Sequence, residues 1–496
     1  MSGNQGQWQS GSQSATQDTE LRSPFAGTPR GDAVRDAVAA GLLLFSLTLP
    51  WDHFHQASQR LEVVLVTALS LASLALGYLA RANAFGPAFP PARASTARLL
   101  ANVPYLVLFV AFLLVDAFSG SDREAGGVGA AAAVGLAGAL LAAQAREAEL
   151  VGRTRPHPLE RAWIVGPVVV AAVYALTVLV SMLIFFVGDD MEYLDGRDVA
   201  ITTASLLLGI VIIGIALVGV STRDAAWRLV LIALAVAPLG LYLVGKDGAV
   251  PAPMVESIHS LSPGLIYWPG LAVLVAAPAV RRAMRGPVAP WAGAATRLLT
   301  VAIVVAATDL LVAVLVLIDT DQVARRGILM ALALIYLVVV VVARVLPMNT
   351  RGARRAGFAI AAVLLALGCI SLAVTAGDEY LWVTPADLLL AVVIPVALAV
   401  FLAVQASQEA RGVVVWVPAA GPVGGPGYPP PLPAAEAVRL AADPATPPAI
   451  LADLAAREPE TWVHLARNPA TYPDLLAWLT ALNRPDVTEA LGERAE

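Results

Sequence analysis

The stretch WIVGPVVVAAVYALTVLVSMLIFFV, Trp163 to Val187, runs without a single charged side chain. About 20 apolar residues suffice to cross the roughly 30 Å of bilayer hydrocarbon at 1.5 Å per helical residue. The stretch therefore reads as a membrane-spanning helix. Outward from it, similar stretches recur in both directions, near 34–51, 61–80, 99–118, 128–144, 163–187, 199–220, 229–245, 264–280, 298–318, 327–347, 357–376 and 387–404. The expected fold class is all-α, a polytopic membrane helix bundle of about 12 transmembrane helices over 31–407, followed by a small C-terminal α-solenoid-like repeat module. Bulk composition agrees: the 496 residues are 58% hydrophobic and only 14% charged, against about 25% charged in soluble domains. The fourth stretch, Gly126 to Gln144, is mostly Ala and Gly. Small residues let backbones approach closely, so it is expected inside the bundle.

The loops orient this array. With the N-terminus cytoplasmic, the inner loops hold 17 basic residues, among them Arg146, Arg223 and Arg354. The outer loops hold six, Arg60, Arg123, Arg197, Lys246, Arg325 and Arg326. Basic residues in short loops stay inside, which predicts both termini in the cytoplasm. Acids gather in the outer loops instead, as in Asp189-Asp190-Met191-Glu192 and Gly377-Asp378-Glu379. Residues 1–30 are Gly, Gln, Ser and Thr without periodicity and read as a disordered tail. Residues 408–433 form a linker rich in Pro and Gly that sustains neither helix nor ladder. The single cysteine, Cys369, rules out a disulfide within the chain. Arg and Ala dominate, and Lys246 is the one lysine. That bias looks bacterial, placing the protein in the inner membrane.

Beyond the linker the chain repeats itself. Leu440-Ala441-Ala442-Asp443-Pro444-Ala445-Thr446-Pro447-Pro448 returns 25 positions later as Leu465-Ala466-Arg467-Asn468-Pro469-Ala470-Thr471-Tyr472-Pro473. Leu451 and Leu454 map onto Leu476 and Leu479 in the same register. Each unit reads as two short helices. Pro444 or Pro469 stops the first, and Thr446 or Thr471 caps the second with Pro close behind. Leu440, Leu451, Leu454, Leu465, Leu476 and Leu479 are the expected shared core. This pattern resembles the variant leucine-rich repeat family of bacteria. The resemblance covers 434–496, as two full units and a partial third at 484–493. It implies a solenoid of alternating α- and 3₁₀-helices that serves as a protein-interaction scaffold. Without cysteine the module cannot carry the iron–sulfur cluster that some relatives hold nearby.

Signs of chemistry are sparse. Asp309, in Ala307-Thr308-Asp309-Leu310, is the one ionisable side chain placed near the midplane of a span. Such residues are costly in lipid and mark proton or ion pathways, or else pin helix packing through a hydroxyl partner. Asp52, His53 and His55 form a metal-like cluster one ligand short of a structural zinc site, beside an interfacial Trp51 and Phe54. His157, His259 and His464 stand alone. No phosphate loop, dinucleotide fingerprint, nucleophile elbow or zinc-protease helix occurs, and no cofactor, metal or nucleic-acid partner is expected. Short matches six spans apart, such as Arg35-Asp36-Ala37 with Arg223-Asp224-Ala225, hint at a 6+6 parallel repeat. Two function classes remain. One is a non-enzymatic membrane scaffold or sensor whose module recruits a cytoplasmic protein through 434–496. The other is a secondary transporter with its pathway near Asp309. The spans carry few polar residues to line a path, which favours the first. A membrane-embedded enzyme ranks third. Substrate, partner and oligomeric state stay open.

Overall fold

The structure, a computed structural model, describes residues 29–82, 84–85, 91–119, 127–146, 158–187, 196–245, 254–259, 263–284, 290–317, 323–348, 350–376, 385–410, 433–481 and 484–495. The expected tail, most of the linker and the two acidic outer loops lie outside the described residues. Two compact units emerge, one reaching residue 404 and one comprising 405–496 with the short stretch 287–290. The first unit contains α1 (Arg30–Ser46), α2 (Leu61–Arg81), α3 (Pro91–Phe118), β1 (Val128–Gly129), α4 (Ala130–Ala143), α5 (Pro158–Val187), α6 (Gly196–Ser221), α7 (Ala225–Leu234) and α8 (Val236–Gly245). It continues with β2 (Val255–Glu256), a 3₁₀ turn (Leu265–Tyr267), α9 (Trp268–Ala276), α10 (Pro278–Ala283), α11 (Trp291–Leu317), α12 (Val323–Arg344) and α13 (Arg351–Ala376). A last rod is formed by α14 (Pro385–Leu388), a π turn (Leu389–Val393) and α15 (Ile394–Ala410).

Among the described residues, nine helical stretches are long and apolar enough to cross a membrane. These are α2, α3, α5, α6, α7 with α8, α11, α12, α13 and the α14–α15 rod. The expected count of about 12 is not confirmed among the described residues, where the other three stretches form shorter helices. α1 has 17 residues and ends at Ser46; Pro50, just beyond, disfavours helix in the residue before it. α4 has 14 residues and spans about 21 Å. α9 has only 9 residues, because the chain turns extended at Ala277 and Pro278 opens a new helix.

The helices are inverted relative to soluble ones. α2 turns Val63, Thr67, Ser70, Ser73, Gly77 and Ala80 inward, while Leu61, Leu65, Leu69 and Leu79 face out. α5 does the same, burying Ala171, Tyr174, Val178 and Ser181 and exposing Val165, Val169, Leu176 and Leu183. In water this arrangement would leave apolar stripes unburied. In lipid the leucines are already solvated, and small inner residues let the backbones close up.

α4 is the hub of the first half. Every residue but Leu140 is buried, and the helix packs against α1, α2, α3 and α9. A Cβ on Gly135 would overlap the Tyr105 hydroxyl, so only glycine fits there. Backbone carbonyls of neighbouring loops satisfy its first donors: Gly129 N–H bonds Trp51 O at 2.7 Å, Ala130 N–H bonds Met254 O at 2.7 Å and Ala131 N–H bonds Pro50 O at 3.0 Å. Antiparallel pairing of β1 with β2 secures the same end. At the other end, cations complement the helix dipole. Arg146 donates to Leu141 O at 3.1 Å and to Gln144 O at 2.9 Å, and Arg98 also reaches Gln144 O at 2.9 Å. Both arginines are fully buried, and Arg146 pairs with Asp36 on α1.

The second unit carries α16 (Ala434–Ala442), α17 (Pro448–Arg457), α18 (Trp462–Arg467), α19 (Pro473–Ala481) and α20 (Pro485–Ala495), with a 3₁₀ turn at Pro459–Thr461. It holds its own hydrophobic core, separate from that of the first.

Candidate functional site

Asp309 lies eight residues before the end of α11, and Thr308 beside it turns its hydroxyl back to Val304 O at 3.0 Å. The sequence suggests no ionisable partner for Asp309, but the structure supplies one. Asp387, at the start of the α14–α15 rod, is close enough for the two carboxyls to interact electrostatically. The π turn directly follows it. Such turns add a residue to a helix, re-aim what precedes them and free a carbonyl, and they concentrate at functional sites. Here the Tyr336 hydroxyl of α12 donates to Leu390 O in the turn at 2.8 Å. Gly368 of α13 allows the turn to approach, since a Cβ there would overlap Ala391 Cα.

A cavity of about 250 Å³ opens beside the acid pair, walled by α6, α9, α11, α12, α13 and the rod. Its polar lining comes from Ser205, Thr308, Ser371 and Thr375 as well as the two acids and Arg326, and Trp268 contributes an aromatic wall. Arg326 donates to Val316 O at 3.3 Å, near the end of α11. A second pocket of about 10 Å³ also touches both acids, together with Tyr336, Gly368 and Leu390, room for about one water. The two acids thus border both the larger cavity and the water-sized one.

The other candidates resolve differently. Asp52 anchors its own loop: its carboxylate accepts from Phe54 N–H at 2.9 Å and His55 N–H at 2.8 Å, lies 3.0 Å from His55 Nδ1, and takes Arg60 Nε at 2.8 Å. Burial works against the charge, but these bonds outweigh it and hold the Asp52 carboxyl below the usual carboxylate range. The His259 ring lies 3.0 Å from Asp116 O, and the Asp116 carboxylate also accepts from Ser257 Oγ at 2.6 Å and Ile258 N–H at 2.8 Å, clamping the segment after β2. His157 lies outside the described residues. Among the described residues, no group of three or more His, Cys, Asp or Glu side chains gathers as a metal site would. Cys369 is exposed on α13. A six-span offset pairs the 14-residue α4 with the 22-residue α12, so helix lengths do not follow that period.

In the module, Leu451, Leu454, Leu465 and Leu479 are buried in the core and Leu440 packs against it half-buried. Where the 25-residue register points to Leu476, the structure buries Leu475 and leaves Leu476 half-buried. α17 uses an i, i+3 pair and α19 an i, i+4 pair, and both spacings share a helix face. The threonines do not cap the following helix as expected. Thr446 donates to Leu440 O at 2.8 Å and Thr471 to Leu465 O at 2.7 Å, each closing the helix before it. Asn468 then stitches unit to unit, donating to Ala441 O at 2.8 Å and Asp443 O at 3.0 Å. Arg494 repeats the stitch, reaching Ala466 O at 3.5 Å and Asn468 O at 2.7 Å, the carbonyls 25 positions on from those that Asn468 holds.

Fold and exterior together define the class: an all-α protein of membrane-spanning-length apolar helices with an appended solenoid module. The chain belongs to the family described as Domain of unknown function (DUF7937), whose model matches residues 32–411. Residues 435–495 match the Leucine Rich Repeat Variant domain. No curated protein and no solved structure gives a significant match.

Proposed function

We propose that this protein is a non-enzymatic, multi-pass scaffold or sensor of the bacterial inner membrane, with both termini cytoplasmic and a C-terminal module that recruits a partner protein. The observation that carries this reading is the module's separate, stitched core. A unit that holds itself together in this way is free to present its surface. That surface includes Trp478, 40% exposed and set edge-on to Trp462 at 5.5 Å, with Arg484 stacked over Trp462 at 5.3 Å. Aromatic and Arg side chains dominate binding hot spots. The basic bias of the inner loops supports the orientation.

The test is in-cell crosslinking of the full chain against a chain ending near Pro433 and against Trp478→Ala. A partner is expected to crosslink to the full chain and to be lost from both variants. Equal crosslinking by the shortened chain refutes recruitment by the module. In a Cys369→Ala background, Gly196→Cys is expected to react with an impermeant thiol reagent in intact cells and Gly352→Cys to be protected. The reverse pattern refutes the orientation.

A further inference from the structure

We propose that Arg228, with Arg281 at the rim, binds a phosphate group carried by a lipid headgroup at one end of the helix bundle. Arg228 is the fourth residue of α7, half-buried, and its Nε is sealed from solvent without a hydrogen-bond partner among the described residues. Among those residues no carboxylate pairs with it, and the charge that acts on it is another guanidinium, Arg281 of α10. Arg281 is exposed and has contacts of its own, so the site is centred on Arg228. Asp224, four residues earlier, is committed elsewhere. One of its oxygens accepts Ala226 N–H at 2.9 Å to cap α7, and the other pairs with Arg297. Arg228 thus faces a like charge and no acid, which is costly for a guanidinium partly out of water. A phosphate beside it offsets that cost, because its oxygens accept the fork of N–H donors that a guanidinium presents.

Two further observations put that phosphate on a lipid. The first is depth. Trp227, next to Arg228, is half-buried against Gly219 of α6, where a Cβ would overlap the indole. Trp291 opens α11, the helix that Arg297 ties to Asp224. Tryptophans gather at the headgroup level of a bilayer, so Arg228 stands where lipid phosphates are. The second is the neighbouring wall. α5 packs against α10, and its Gly166 lies against Leu274 near the end of α9, which sets the start of α5 beside Arg281. There Ile164, Val165 and Val168 are exposed, an apolar strip on which acyl chains can lie. Basic pockets between membrane helices hold acidic headgroups in this manner. The proposal goes beyond module recruitment and does not depend on it, since every residue it uses lies in the first unit.

The experiment uses the full chain in maltoside detergent, which carries no phosphate. Thermal melting and native mass spectrometry are read with phosphatidylglycerol, with diacylglycerol of the same chains as its phosphate-free match, and with inorganic phosphate. Saturable binding of phosphatidylglycerol with a raised Tm is expected, and no such response to diacylglycerol. Arg228→Gln is expected to weaken that binding roughly tenfold or more, the usual effect of losing a hydrogen bond to a charged group. Its lipid-free Tm is expected to stay at or above that of the wild type, because a cation without a counterion is removed. Arg281→Gln, an exposed change, is expected to weaken binding as well. A response to inorganic phosphate that Arg228→Gln removes, with none to phosphatidylglycerol, would keep the phosphate site and refute the lipid as its source. Four results overturn the site itself: no response to either phosphate form, an equal response to diacylglycerol, unchanged affinity in either variant, or a lower lipid-free Tm in Arg228→Gln, which marks a structural role. Module recruitment remains testable whichever result is found.

Discussion

Asn468 is 1% exposed, and its side chain makes three bonds: two donated to Ala441 O and Asp443 O, and one accepted from Ala470 N–H at 2.8 Å. Asn468→Ala removes all three and orphans the Ala441 carbonyl between the units, while Asp443 O keeps the Thr446 N–H at 3.1 Å. A neutral hydrogen bond contributes about 1 kcal/mol net, and an orphaned buried partner costs about 1–3 kcal/mol, so the expected loss is roughly 2–4 kcal/mol. A module of this size holds on the order of 3–9 kcal/mol in all, so the substitution removes a large share of its stability. Hydrogen exchange on the full chain in detergent, followed in peptides from α17 and α18, is expected to speed up by about a hundredfold. Asn468→Asp sharpens the argument. The introduced carboxyl can still accept from Ala470 N–H, as Asp443 accepts from Ala445 N–H at 2.9 Å in the first unit. Facing two carbonyls, its ionised form is disfavoured and its folded pKa raised. Stability is then retained below the unfolded carboxylate value of about 3.9 and lost as pH rises through the folded value. Wild-type exchange in Asn468→Asp at pH 7 would refute the stitching role.

Three further outcomes follow from the geometry. The folded pKa of Asp52 is depressed, so its contribution is present above about pH 4 and lost as pH falls through the lower folded value; exchange in the 50–60 loop, corrected for intrinsic rates, is expected to accelerate there, and a loop equally protected at low pH would count against the anchor. Gly368→Ala pushes α13 off the π turn and is expected to cost about 1–3 kcal/mol by overpacking; an unchanged Tm in detergent would contradict the close approach. Tyr336→Phe strips the π turn of its hydroxyl donor at Leu390 O and is expected to cost about 1 kcal/mol, the usual scale inside membranes, so an equal or higher Tm would mean that the bond carries no weight.

What was legible in the sequence was whatever repeats or accumulates. Long apolar runs such as 163–187 announce themselves, and the 25-residue register exposes the module's units before any coordinates. The poverty of Gly126–Gln144 in large side chains also reveals that the segment lies inside. Its length does not show in the same way, because apolar flanks such as Val128 extend the hydropathy signal past the helix into β1. The acid pair was half legible. Asp309 stands out within an apolar span, but Asp387 sits at a helix start where an acid is ordinary. The π turn that positions it has no local signature, and it becomes apparent only when Tyr336 and Gly368 are seen on the neighbouring helices. The direction of the Thr446 hydroxyl was ambiguous for another reason. Threonine can cap forward or bond backward with equal chemistry, and the turn at Pro444 and Pro447 decides.

The inverted helices of the first unit also shape how this family will drift through evolution. In a water-soluble protein the leucines are held fixed and the serines wander. Here the outward Leu61, Leu65 and Leu69 meet only acyl chains, and any oily residue serves there. Ser70, Ser73 and Gly77 are buried on the inner face, where small residues let neighbouring helices approach closely. When sequences of relatives are set side by side, the slow positions will be the small ones, and a scale that equates hydrophobic with constrained will read the protein inside out.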